Sequence, residues 1–139
     1  QFMPSSFVKF AIDYDKDGRR DIWTTQADVF GSAATYLRRG GWKDDQTWGR
    51  EVRLPVGFDA ALAEAKAMKP ISGWQAVGVR NVDGGDLPSR ELTAHIVIPD
   101  GVEGRAFMVY DNFRTTLRWN RSNYFALAVG LLSDRIGGN

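Results

Sequence analysis

The chain has no cysteine among its 139 residues, which excludes disulfides and thiolate-held metals and leaves the redox state of its compartment unmarked. It also lacks charge of one sign: Lys+Arg 18 against Asp+Glu 17 leaves a formal charge of +1. Nothing here resembles the basic footprint of a nucleic-acid binder, so no nucleic acid is expected as a partner. No apolar run approaches the roughly 18 residues of a membrane span, and the start lacks the basic-then-apolar pattern of a signal peptide. Internal repeats and low-complexity tracts are missing as well. The one histidine, His95, lies on the odd face of a strand pattern and reads as a sheet residue, not a ligand.

What is present is a composition of 43% hydrophobic and 12% aromatic residues, enough for the core of one compact domain. The start is unusual. Gln1 has no Met before it, and Phe2-Met3-Pro4 reads as packed interior. The chain is therefore expected to be a piece of a longer polypeptide, with any export signal upstream.

Periodicity predicts a short helix capped by Ser5 or Ser6 and running to about Ala11. A clearer helix is expected over Asp28 to Arg39, with Phe30, Ala33, Ala34 and Leu37 as its buried stripe and Gly40 after its end. Val52-Arg53-Leu54 looks strand-like, and Asp59 caps an alanine-rich helix that Pro70 must stop. Ser72 to Val77 is a further helical turn. Alternation of Leu92, Ala94, Ile96 and Ile98 predicts a half-buried strand, turned by Pro99-Asp100-Gly101 into a second strand over Arg105 to Tyr110. Last comes a helix capped by Ser122, burying Phe125, Ala128, Val129, Leu132 and Ile136 and stopping at Gly137-Gly138. Trp23 and Trp42 are expected in the core. The order indicates an α+β domain.

Between the first two helices, Asp13, Asp15, Asp17 and Gly18 occupy positions 1, 3, 5 and 6 of a D-x-D-x-D-G loop of EF-hand type. Alternate carboxylates at that spacing converge on one hard cation, and the glycine permits the sharp turn. Arg19 would ligate through its carbonyl at position 7, and Asp21 at position 9 directly or through water. Position 12 is Thr24 instead of the usual Glu, so the sphere would have to be closed by Asp28. The expected ion is structural Ca2+, bound with a modest Kd on the order of 10⁻⁴ to 10⁻³ M. The competing reading is a solvated acidic turn neutralised by Lys16, Arg19 and Arg20.

Two blocks carry a resemblance. Gln-Phe-Met-Pro-Ser-Ser at Gln1 to Ser6, Asp13 to Trp23, and Asp28 through Gly31-Ser32 and Tyr36-Leu37 to Gly41-Trp42 form the first. Asn112-Phe113, then Arg118-Trp119-Asn120-Arg121-Ser122 and Ala126-Leu127-Ala128-Val129, form the second. Together they resemble the murein transglycosylase B family, with a looser match between them at Leu54-Pro55, Phe58, Gly73-Trp74 and the hairpin.

The resemblance implies a mainly helical lysozyme-like core portion with one EF-hand-type calcium loop and a small β-hairpin region. On it, residues 1–139 form a single domain fragment: 1–50 as core helices with the calcium loop, 51–111 as the small β-containing region, and 112–139 as the return to the core. It further implies non-hydrolytic cleavage of the MurNAc-GlcNAc bond of peptidoglycan in the periplasm or cell envelope, leaving 1,6-anhydro-MurNAc ends. Because the sugar's own C6 hydroxyl attacks, one glutamate can serve as acid and then base. In the family that glutamate precedes the Gln-Phe-Met-Pro-Ser-Ser motif, so it is expected in a missing N-terminal part of the same protein. Glu51, Glu64, Glu91 and Glu103 read as surface carboxylates.

The resemblance carries over Gln1 as a hydrogen-bonding amide, Tyr36 as a cleft tyrosine, Trp119 and Asn120 near the reacting sugars, and Phe125, which core packing would explain equally well. Peptidoglycan glycan strands are the implied partner. The alternative is a calcium-stabilised scaffold that binds glycan and performs no chemistry.

Overall fold

The computed structural model describes residues 2–138, so Gln1 lies outside the described residues. It forms two compact units, one through Lys43 and one from Asp44 onward.

The first unit is built on two helices, α1 (Pro4–Phe10) and α2 (Gln26–Arg39). α1 begins with Pro4 at its first turn and Met3 as its N-cap, not with a serine cap. Proline suits that place because its missing N–H would be unpaired there anyway. Met3 is 68% exposed in this chain. α2 ends at Arg39 as expected, but it starts at Gln26, two residues before Asp28, and buries a different face. Asp28, Gly31 and Ser32 are buried, whereas Phe30 is 69% exposed. The physical reason is that this face receives the acidic loop. Ser32 Oγ accepts the Ile12 N–H at 3.0 Å, and a Cβ on Gly31 would come within 2.8 Å of the Tyr14 ring. Satisfied polar groups and a small residue win over the apolar stripe. Trp23, expected in the core, is 74% exposed and packs its ring 5.4 Å from that of Phe7.

The second unit is a five-stranded antiparallel sheet in the order β2-β4-β5-β1-β3. Its strands are β1 (Gly49–Arg53), β2 (Lys69–Pro70), β3 (Arg80–Asn81), β4 (Thr93–Val97) and β5 (Ala106–Val109). Its helices are α3 (Ala60–Glu64), α4 (Ile71–Ala76), α5 (Asp111–Trp119) and α6 (Asn123–Gly137). The hairpin of β4 and β5 is thus the centre of a larger sheet, because β1 pairs with β5 and the short β2 with β4.

The sheet is covered on both faces. Val52, Ala94, Ile96, Ala106 and Met108 pack with Ile71, Trp74 and Val79 on one side. Val97, Phe107 and Val109 pack with Trp48, Phe113, Ala126 and Leu127 on the other. β4 is therefore buried from Ala94 to Val97, His95 included, instead of half-buried as its alternation suggested. Each large buried side chain contributes on the order of 2 kcal/mol.

Three further elements depart from the periodicity. Asp59 caps α3 as expected, accepting the Ala61 N–H at 3.0 Å, but the helix stops at Glu64 and not at Pro70. Lys66, at φ +49°, takes a left-handed turn that α-helix cannot continue. α5 buries Asn112, Thr115 and Thr116 beside Phe113, a polar face that gives no hydrophobic stripe. Asn112 is held by donating from Nδ2 to the Gln46 carbonyl at 2.7 Å. α6 keeps its Ser122 cap and its left-handed Gly138. Its buried face is Ala126, Leu127 and Gly130, while Val129, Leu132 and Ile136 are exposed. Gly130 decides this: its bare Cα lies against the Trp48 indole, whose Nε1 donates to Asp134 at 3.0 Å.

Candidate functional site

In the first unit the acidic loop folds around its own carboxylates. Asp13 accepts the N–H groups of Asp17 at 3.1 Å and Gly18 at 2.9 Å, and Asp17 accepts from Arg19 at 2.8 Å. Gly18, at φ +91°, makes the turn that closes the loop, a conformation that costs a residue with Cβ about 1 kcal/mol. Asp28, in the first turn of α2, is fully buried and ties both arms of the loop. It accepts the Tyr14 N–H at 2.7 Å and the Asp21 N–H at 2.8 Å.

Asp13, Asp15 and Asp28 bring one carboxylate oxygen each to within 4.8 Å of one another. Asp17 and Asp21 do not belong to that trio. Asp21 accepts the N–H groups of Trp23 at 2.9 Å and Thr24 at 3.0 Å, as well as the Thr24 hydroxyl, and these bonds hold its carboxyl below the usual range. For Asp15 the Asp17 N–H pulls the carboxyl down. Burial, the charges of Asp17 and Asp28 and a hydrogen bond with Asp13 outweigh it, and the net direction is up. Crowded carboxylates of this kind, one of them buried, form an all-oxygen donor set that suits a hard cation such as Ca2+.

Tyr36 of α2 is half-buried between aromatic rings, edge-on to Phe10 at 4.8 Å and to Phe2 at 6.1 Å. In the second unit, Trp119, Asn120 and Phe125 gather at the corner between α5 and α6. Trp119 is the half-buried last residue of α5, and the exposed Asn120 is its C-cap. Asn120 Oδ1 accepts the Ser122 N–H at 3.0 Å, so the side chain shapes the corner. Phe125 is half-buried in the first turn of α6.

Glu51 is locked to Arg105 by two hydrogen bonds, of 2.9 and 2.6 Å, and the guanidinium holds its carboxyl below its ordinary range. Glu64, Glu91 and Glu103 are exposed.

Sequence reasoning missed the surroundings of His95. Its Nδ1 lies 3.1 Å from Arg114 Nη1 and its ring stands edge-on to Phe113 at 6.2 Å. Burial first, then the positive charges of Arg114 and Lys66, lower its pKa from 6.5 to about 4. It lines a cavity of about 290 Å³ together with Lys66, Ile98 and Tyr124. The signal available was an imidazole within an otherwise apolar strand run, on a sheet whose second cover the sequence did not reveal.

Residues 1–134 match the transglycosylase SLT domain family. The chain is 30% identical over 141 aligned residues to the membrane-bound lytic murein transglycosylase B of Escherichia coli, covering 98% of this chain and 36% of that protein. SltB3 from Pseudomonas aeruginosa, solved in complex with NAG-NAM-pentapeptide, is 48% identical with a TM-score of 0.94, over 100% of this chain and 38% of that one. The Escherichia coli lytic transglycosylase Slt35, solved in complex with calcium, is 27% identical with a TM-score of 0.75, over 99% of this chain and 42% of that one. The chain thus spans less than half the length of each of these relatives.

Proposed function

This chain belongs to the transglycosylase SLT domain family, and from that membership we propose that it is the glycan-holding portion of a peptidoglycan lytic transglycosylase. The observation that carries the reading is the 48% identity along the whole chain to an enzyme solved with NAG-NAM-pentapeptide. The reaction is cleavage of the MurNAc-GlcNAc bond by the sugar's C6 hydroxyl, giving 1,6-anhydro-MurNAc ends in the periplasm or cell envelope.

In this reading Trp119 offers a flat face to a sugar ring, Asn120 hydrogen-bonds polar substituents and Phe125 adds an apolar contact in the second unit; within the first unit Tyr36, and Gln1 outside the described residues, are each proposed to contact glycan. The acid/base glutamate comes from the part of the relatives that this chain does not span. The ion pair of Glu51 with Arg105 and the exposure of the other glutamates support that assignment. A general acid needs a raised pKa and a sheltered position, and Glu51 is shifted the other way.

Asp13, Asp15 and Asp28 would hold Ca2+, with the Arg19 carbonyl and Asp17 or Asp21 completing the sphere. The ion would supply structural charge neutralisation. A carboxylate as buried as Asp28, facing two others, needs a counter-charge.

The test is to incubate purified sacculi with this chain and analyse the pellet and the soluble products by mass spectrometry. The chain is expected to sediment with the sacculi and to release no anhydro-muropeptides. Trp119→Ala should weaken the sedimentation. Release of anhydro products by the chain alone would overturn the assignment of the glutamate, and failure to sediment would overturn glycan binding.

A further inference from the structure

We propose that Arg39 is a positioning residue: from α2 its guanidinium caps the C-terminal end of α1 and so fixes Phe10, and the segment that precedes α1, against Tyr36. The proposal rests on the glycan-binding reading above and deepens it, because Tyr36 and Gln1 are the glycan contacts proposed in the first unit.

α1 has seven residues, none of them buried. Packing of an apolar face is what ordinarily holds a helix in a protein, and here it contributes little, so the placement of α1 depends on a few directed contacts. Three of them tie it to the loop and to α2. Ser32 Oγ accepts the Ile12 N–H just past the helix end at 3.0 Å, and the Phe7 ring lies 5.4 Å from that of Trp23. Arg39, 30 residues further along the chain, donates from Nη1 to the Lys9 carbonyl at 2.9 Å. That carbonyl is among the last four of α1, which no amide of the same helix reaches. A cation there also meets the negative end of the aligned peptide dipoles. The only basic residue of that last turn, Lys9, places its own ammonium over the Phe10 ring at 5.3 Å.

The same guanidinium orders a ring. Arg39 Cζ lies 5.9 Å from the centre of Phe10, and Phe10 stands edge-on to Tyr36 at 4.8 Å. Tyr36 and Arg39 are three residues apart on α2, the spacing that puts two side chains on one face of a helix. Phe10 is therefore held by two groups of one helix face, an aromatic ring and a cation. Phe2, before the start of α1, meets Tyr36 as well, with ring centres 6.1 Å apart. A tilt of α1 would carry Phe10 and Phe2 together and remove the packing that sets the Tyr36 ring. Gln1, outside the described residues, is bonded to Phe2 and depends on the same placement.

Arg39 is itself exposed, and an exposed cation over an aromatic ring adds little to stability. Its loss should therefore leave the fold standing and free α1 to shift. Alanine is the best helix former, so Arg39→Ala does not weaken α2.

Sedimentation with purified sacculi over a range of concentrations and two-dimensional NMR of the Tyr36 ring, both on the full chain, test this in the parent, Arg39→Ala and Arg39→Lys. Tyr36→Phe assigns the ring resonances. Arg39→Ala should move those resonances, which carry the ring-current shift of Phe10, and should weaken binding to sacculi about fivefold, the loss of one exposed cationic contact. Its melting temperature should stay within about 4 °C of the parent's. Arg39→Lys keeps a cationic donor and should restore most of the shift and of the binding. Tyr36 resonances unmoved in Arg39→Ala, or equal binding of the parent and Arg39→Ala, would overturn the proposal while leaving glycan binding in place. Equal losses in the two variants would show that the charge on the Lys9 carbonyl is not what holds α1, and would overturn it too. A fall of about 10 °C in melting temperature would make Arg39 a residue of the fold and end its role in positioning. If the parent itself does not sediment, both readings fall.

Discussion

Calcium should raise the melting temperature of this chain, and Asp28→Asn should remove most of that response. Asp28 is fully buried, shares a 4.8 Å cluster with Asp13 and Asp15, and accepts two backbone N–H groups from opposite arms of the loop. A ligand that binds only the folded state stabilises it by RT ln(1 + [L]/Kd), which is about 2.7 kcal/mol at 100 times Kd. With a Kd on the order of 10⁻⁴ M, calcium at about 10 mM reaches that regime. For a chain of this length unfolding in one transition, the stabilisation corresponds to roughly 10 °C.

Asp28→Asn preserves shape and one acceptor but removes the charge. It turns an amide N–H toward a backbone N–H, which costs about 1–3 kcal/mol. It also removes one like charge from beside Asp13 and Asp15, which offsets part of that cost when no cation is bound. The variant should therefore resemble the parent in EDTA and fall well behind it in calcium. Differential scanning calorimetry in EDTA, then with calcium in excess, reads both quantities. A parent that melts at the same temperature in both, or a variant that keeps the full calcium shift, would refute the reasoning. An equal shift with magnesium would point to charge screening and not to a shaped site.

Two further outcomes follow from the second unit. His95 has its pKa held at about 4 in the folded chain against 6.5 when exposed. Its contribution is therefore fully present above pH 6.5 and is lost as pH falls toward 4, because the unfolded chain takes up the proton first. The loss approaches about 3 kcal/mol. Urea unfolding at neutral and acid pH should show His95→Gln to be less pH-sensitive than the parent by about that amount, and an identical pH dependence would contradict the buried neutral imidazole. Gly130→Ala gains up to about 1 kcal/mol of helix propensity. The new Cβ, however, would lie 2.4 Å from the Trp48 ring, and overpacking costs about 1–3 kcal/mol. The midpoint of denaturation should fall, and a more stable variant would mean that α6 moves freely away from the sheet.

Much of the local structure was legible because it depends on near neighbours in the chain. The caps of α3 and α6 are Asp59 and Ser122, and each accepts a nearby backbone N–H as its residue type and position imply. Gly18 and Gly138 adopt positive φ where a loop and a helix end require it. The D-x-D-x-D-G spacing pointed to convergent carboxylates, and Asp28 joins Asp13 and Asp15. The family resemblance read from the two end blocks agrees with the match over residues 1–134.

What periodicity could not supply was which face of each element is buried, since that is chosen by a partner distant in sequence. α2 turns Asp28, Gly31 and Ser32 inward because the loop backbone presents N–H groups to be satisfied. α6 turns Gly130 inward because only a residue without Cβ admits the Trp48 ring. α5 hides a polar face because Asn112 finds the Gln46 carbonyl. His95 was legible as a strand residue, and its strand was correct. Its neutrality, its fixed tautomer and the cavity beside it were decided by Arg114, Lys66 and the second cover of the sheet, groups that only tertiary folding brings within reach.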